Sequence, residues 1–125
     1  MTVEEELILR YFDAFNRHDL DAVMACFHAD PVVIDMAGRR FEGRADVRRH
    51  YEASFALLPD GRCDLRTMSG RDGCGMAESL FTGRSRGGRA IEALGVEVVE
   101  MADGKITAIR DYHRLVDDGA AEERD

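Results

Sequence analysis

The sequence predicts one α+β domain, with helices first and a long antiparallel meander after them. Two observations predict it. Apolar residues recur at steps of three or four only before Pro59, and long strand-like runs separated by tight turns fill the chain beyond it. A third sets the scale: 125 residues are enough for one hydrophobic core and too few for two. The domain is expected over residues 1–116, with 117–125 an acidic, disordered tail that lacks apolar periodicity.

The elements follow in order. Val3, Leu7, Ile8, Tyr11, Phe12 and Phe15 form the stripe of an amphipathic helix running to about Arg17. Asp19 is a good N-cap for a second helix with Leu20, Val23, Met24 and Phe27 on one face, expected to end at Asp30-Pro31. Val32 to Met36 reads as a short strand and Ala37 to Arg40 as a turn. A third helix from about Arg44 shows Val47, Tyr51, Phe55 and Leu58 on one side, and Pro59-Asp60-Gly61 closes it. Four strands are then expected: Arg62 to Ser69, Cys74 to Arg84, Ala90 to Met101 and Lys105 to Val116. Asp103-Gly104 makes the last hairpin turn, because both residues tolerate positive φ.

Composition excludes several classes. The formal net charge of −8 argues against nucleic acid, whose binding is driven by Lys and Arg on phosphates. No run approaches the roughly 18 apolar residues of a membrane span, and an acidic start where a secretory signal would be basic suggests a cytoplasmic protein. Cys26, Cys63 and Cys74 are odd in number and widely spaced, so they read as reduced thiols. His18, His28, His50 and His113 lack metal-ligand spacing, and no phosphate-cradling loop or nucleophile elbow occurs. No metal or cofactor is expected.

Chemistry is suggested by ionisable residues on faces that should be apolar. Alternate residues of a strand share a face, so Asp111 and His113 join Ile109 and Leu115 on one side of the last strand. Ala108, Arg110, Tyr112 and Arg114 take the other. Such a carboxylate and imidazole either pair structurally at the sheet rim or mark a site. Asp35 shares parity with Val33, Glu97 with Ala93 and Val99, and Glu78 with Met76 and Leu80. Tyr11 falls within the first helix's stripe. The cavity lining is expected to comprise Phe15, Phe27, Val33, Tyr51, Phe55, Met76, Glu78, Leu80 and Ile109.

Leu9-Arg10-Tyr11-Phe12-Asp13-Ala14-Phe15-Asn16 with Asp19-Leu20-Asp21-Ala22, Asp30 to Asp35, Phe41-Glu42-Gly43-Arg44, and Asp103-Gly104-Lys105-Ile106 before Arg110-Asp111-Tyr112 resemble the nuclear transport factor 2-like superfamily, with its SnoaL-like and ketosteroid isomerase-like domains. The resemblance implies a cone-shaped α+β barrel of cystatin-like topology: N-terminal helices on a curved, mostly antiparallel sheet, enclosing a pocket for a small hydrophobic molecule. It also implies a homodimer through the sheet face, with Arg110 and Tyr112 as interface candidates. Similarity to the isomerases implies proton transfer next to a carbonyl, with Asp35 as base and Tyr11 and a protonated Glu97 holding the enolate oxygen. Similarity to the polyketide cyclases implies Asp111 as general acid/base with His113 beside it. The epoxide hydrolases also need an arginine and a second aspartate on the strand beginning at Cys74, where this chain offers Met76, Glu78 and Leu80, which makes epoxide hydrolysis the less favoured reading. A ligand-binding or dimerising module without chemistry is the alternative.

Overall fold

The computed structural model describes residues 1–116; the tail expected at 117–125 lies outside the described residues. Helix α1 spans Val3–Asn16 and opens with a capping box, in which Thr2 Oγ1 accepts from the Glu5 N–H and the Glu5 carboxylate accepts from the Thr2 N–H. Glu4, Glu5 and Glu6 lie in its first turn, where the helix dipole favours negative charge. At the other end Asn16 donates to the Cys63 carbonyl and accepts from the Cys63 N–H, tying α1 to the sheet.

Asp19 caps α2 (Leu20–Ala25), as expected, by accepting from the Ala22 N–H at 3.0 Å. The helix is shorter than expected, and strand β1 (Phe27–Ile34) already contains Pro31. Proline is tolerated there because the β1 register shifts between Phe27 and Val32, which relieves Pro31 of supplying a ladder N–H. The Arg44 guanidinium donates to the carbonyls of Met24, Phe27 and His28, closing the helix-to-strand junction. A short strand β2 (Arg40–Glu42), which begins where the expected Ala37–Arg40 turn ends, precedes α3 (Arg44–Leu57).

Strands β3 (Arg62–Arg71), β4 (Cys74–Arg84), β5 (Ala90–Ala102) and β6 (Lys105–Asp111) form the antiparallel meander. The sheet order is β2-β1-β6-β5-β4-β3, with β1 parallel to β6. The sheet is therefore mixed and curved, and it stays open. Leu7, Ile8, Tyr11 and Phe12 of α1, Val23 and Met24 of α2, and Val47 and Tyr51 of α3 pack on Val33, Ala77, Val99, Ile106 and Ile109.

Two expectations need correcting here. The last strand is interrupted at Tyr112–His113, and the chain resumes pairing with β5 as β7 (Arg114–Leu115). The interruption lies against Gly95, where a Cβ would sit 2.4 Å from His113 Cα and 2.5 Å from the Tyr112 carbonyl oxygen. Second, β4 presents Gly75, Ala77 and Ser79 to the helices, so Met76, Glu78 and Leu80 lie on the outer face and do not line the cavity. The small residues face inward because α1 approaches closely: a Cβ on Gly75 would meet Ile8 Cδ1 at 2.8 Å.

The contacts at Gly95 are with backbone, which cannot step aside. Gly95→Ala is therefore expected to lower stability by roughly 1–3 kcal/mol through overpacking, read as a shift in the urea midpoint. An unchanged midpoint would mean that the crossing has room for a methyl group.

Candidate functional site

Helices α1 and α3 and the concave sheet face enclose a cavity of about 230 Å³. Phe15, Val33, Tyr51, Phe55 and Ile109 line it, together with Phe12, Phe81 and Ala93. Phe27 does not; it packs edge-on behind Tyr11, with ring centroids 6.1 Å apart. Tyr11, Asp35, Glu97, Asp111 and His113 all reach the lining. His50, Arg39 and Cys63 join them, although no pattern of spacing or parity singles them out for a role there.

Glu97 and Asp111 stand directly opposite each other on β5 and β6, so their side chains leave the sheet on the same face. The β5 bulge falls beyond Glu97, between Glu100 and Met101, and leaves its inward direction intact. Glu97 is 7% exposed and makes no hydrogen bond among the described residues. Burial, then the charge of Asp111, raise its pKa from 4.5 to about 8, while His113 pulls the other way. Glu97 is thus a neutral carboxylic acid at pH 7.

Asp111 is anchored on one oxygen only. Its Oδ1 accepts from the backbone N–H of His113 at 2.9 Å and lies 2.6 Å from His113 Nδ1; Oδ2 has no partner among the described residues. His113 Nε2 is 3.0 Å from both the hydroxyl and the carbonyl oxygen of Ser79. A carbonyl can only accept, so Nε2 carries a hydrogen. The 2.6 Å contact between Nδ1 and Asp111 Oδ1 places a second, shared hydrogen on that side of the ring. Burial opposes a charged ring, but the hydrogen bond and charge of Asp111 outweigh it and raise the His113 pKa.

Ser79, His113 and Asp111 thus look like a nucleophilic triad without being one. Ser79 is completely buried and off the cavity, and Nε2 facing a carbonyl has no lone pair to activate the hydroxyl. Ser79 instead fixes the ring. Its inward position escaped notice in the sequence because the β4 parity was assigned from its larger side chains.

Tyr11 and Tyr51 share a hydroxyl–hydroxyl hydrogen bond of 2.6 Å. The pair has two hydroxyl hydrogens and uses one between them, leaving one to donate elsewhere. Burial, reinforced by the charge of Glu97, raises both pKa values well above 10, so both phenols stay protonated. Asp35 is differently engaged. Its Oδ1 accepts from the N–H groups of Ala37 and Arg39, and its Oδ2 from Arg39 Nε at 2.8 Å, which closes the turn between β1 and β2. Burial would raise its pKa, but these hydrogen bonds and the guanidinium outweigh burial and lower it.

Glu97 makes a signed prediction. Between its ordinary value of 4.5 and about 8, the folded chain keeps a proton that the unfolded chain has lost. Its contribution is fully present below pH 4.5 and is lost as pH rises, at up to about 1.4 kcal/mol per unit. Glu97→Gln should therefore gain stability over the parent from pH 5 to about 8, measured by urea unfolding across that range. A constant difference between the two proteins would show that Glu97 is ionised throughout.

Comparison with solved structures finds the same architecture. A protein from Jannaschia sp. CCS1, assigned to the SnoaL-like polyketide cyclases, is 17% identical with a TM-score of 0.79, covering 97% of this chain and 89% of its own. One from Xanthomonas campestris, assigned as a polyketide cyclase, is 24% identical at 0.79, covering 88% and 90%. A Catenulispora acidiphila protein of ketosteroid isomerase-like fold, in complex with trimethylamine, is 16% identical at 0.74, covering 84% and 82%. At these identities the likeness carries the fold alone. Comparison with curated proteins finds no match. The family model described as the SnoaL-like domain matches residues 8–109, and the chain belongs to that family, within the nuclear transport factor 2-like superfamily.

Proposed function

We propose that the protein is a cofactor-independent acid/base enzyme that moves a proton next to the carbonyl of a small, largely apolar ring compound. One observation carries this reading: the buried carboxyl of Glu97, without a hydrogen-bond partner among the described residues and with its pKa raised by burial, faces Asp111, whose Oδ1 is bonded to His113, inside an apolar cavity. Such a pair offers an acid and a base at one place, which is what enolisation requires. Asp111 Oδ2 takes the proton from the carbon beside the carbonyl, and the electron pair moves to the carbonyl oxygen. Glu97 donates to that oxygen, and the free hydrogen of the Tyr11–Tyr51 pair supports it. Return of the proton to another carbon is an isomerisation; attack of the enol on a second carbonyl is a cyclisation.

Asp111 suits the role of base better than Asp35, whose oxygens are occupied by three N–H donors. The cavity volume, about 230 Å³, falls below the roughly 300–1,000 Å³ of drug-sized sites, which favours one or two rings over four.

The outer sheet face supports a second element of the reading, a homodimer. Leu80, Leu94, Val96 and Val98 form a half-buried apolar surface beside Tyr112, which is 61% exposed, bordered by the Arg110–Glu100 ion pair.

The chemistry is tested by proton NMR of α-hydrogen exchange into deuterated water, with 2-tetralone and 1-indanone as substrates. Asp111→Asn should slow catalysed exchange by about 10²–10⁴-fold, the usual contribution of a positioned base. Asp35→Asn should chiefly lower stability. Exchange by the parent protein should fall as pH passes about 8, where Glu97 loses its proton. No acceleration over buffer, or full activity in Asp111→Asn, would end the proposal. The dimer is tested by light scattering: the described chain should weigh twice 14.0 kDa, and Val96→Asp should return it to 14.0 kDa. A monomeric parent would reject the interface.

A further inference from the structure

His50 is the one histidine of the four without a polar partner among the described residues. His18 Nε2 bonds the Gly61 carbonyl, His28 lies 3.5 Å from the Asp103 carboxylate, and His113 is held by Asp111 and Ser79. The His50 ring is nonetheless firmly oriented. Phe41 stacks on it at 4.3 Å and 30°, and Tyr51 meets it edge-on at 5.0 Å and 66°. It lines the cavity, and no described buried side-chain nitrogen or oxygen is both sealed from solvent and unbonded, so its nitrogens open onto free space.

The cavity has two polar ends. Glu97 couples electrostatically to Tyr11, Tyr51 and Cys63, whereas Asp35 couples most strongly to His50, and Asp111 reaches His50, Tyr51 and Cys63. A carbonyl held by Glu97 and the tyrosines therefore leaves the His50 end unanswered. Burial lowers the His50 pKa, with Arg39 acting in the same direction and Asp35, Asp111 and Asp46 opposing, so the ring is neutral at pH 7. A neutral imidazole has one donor and one acceptor, the complement of a hydroxyl group.

We propose that His50 is a specificity-determining residue that hydrogen-bonds a ligand hydroxyl, so that the preferred ligands are apolar one- or two-ring carbonyl compounds carrying a hydroxyl remote from the reacting carbonyl. The carbonyl half rests on the function proposed above; the hydroxyl half rests on His50. His50→Phe keeps the stacking and removes both nitrogens, which makes it the informative variant.

The experiment is calorimetric titration with 1-tetralone and its 5-, 6- and 7-hydroxy derivatives. One hydroxy isomer should bind the parent protein about tenfold more tightly than 1-tetralone, and His50→Phe should abolish that preference while changing 1-tetralone affinity by less than about twofold. A preference that persists in His50→Phe, or no preferred isomer in the parent, overturns the proposal. Nitrogen-15 spectra of the parent supply a check that needs no variant: the preferred isomer should shift the His50 ring nitrogens and leave those of His28 unmoved, and an unmoved His50 rejects the contact. Binding is read independently of turnover. A protein that exchanges no α-hydrogens yet keeps the His50-dependent preference loses only the acid/base reading, and an active protein without it loses only this one.

Discussion

Two carboxyl groups directly opposite each other on the buried face of a sheet cannot both carry charge in an apolar cavity. Removing either charge from water is expensive, and their mutual repulsion adds to the cost. The chain meets this constraint by treating the two unequally. Asp111 receives a backbone N–H and the imidazole of His113, while Glu97 receives neither and has its pKa raised by burial and by Asp111. Local geometry around the pair serves that inequality. Gly95 lets the backbone of Tyr112 and His113 press against β5, and Ser79 takes the far nitrogen of the imidazole, holding the ring against Asp111.

The walls keep that difference large. Phe15 meets Tyr51, Phe55 and Phe81 with centroids 5.4 to 6.4 Å apart, and Phe55 stacks on His18 at 4.5 Å. Rings in these arrangements fill the space beside the acids with polarisable but apolar matter. These rings keep much of the surroundings of Glu97 and of the tyrosine hydroxyls apolar, so electrostatic effects on them are stronger than they would be at a surface. The helices contribute by position: the Asn16–Cys63 double hydrogen bond and the α1 capping box fix the helix that carries Tyr11 and Phe15.

Much of the fold was legible because its signals are local. The α1 stripe, the Asp19 cap and the Asp103-Gly104 turn each depend on residues a few positions apart, and each formed where the sequence placed it. The failures involve partners distant in sequence. Pro31 reads as a helix stop until the β1 register shift against β6 is known, and the parallel β1–β6 pairing leaves no local trace. The β4 face was misread because its larger apolar residues, Met76 and Leu80, lie outside, while the helix-facing positions are small to admit Ile8. Within the site, alternation alone brought Asp111, His113 and Glu97 to the cavity. Ser79, His50 and the Tyr11–Tyr51 hydrogen bond stayed hidden, since a serine on a strand or an aromatic on a helix stripe looks the same whether it packs or bonds.

The three cavity carboxyls show how one side-chain chemistry acquires separate roles from its surroundings. Asp35 has both oxygens committed to three N–H groups, so proton uptake there would cost a turn as well as an ion pair. Its low pKa follows from the same contacts that make it a poor base. Asp111 is held through Oδ1 alone, which leaves Oδ2 free to accept a proton without dismantling its support. Glu97, with no donor to favour its ionised form, is the only one of the three that can offer a hydrogen at neutral pH. Donor count therefore separates Asp35 as scaffold from the base and the acid of the proposed reaction. The acid is the costly member, since a neutral buried glutamate lowers stability at every pH above its ordinary value, and its retention without a partner is more readily explained by a ligand oxygen than by packing.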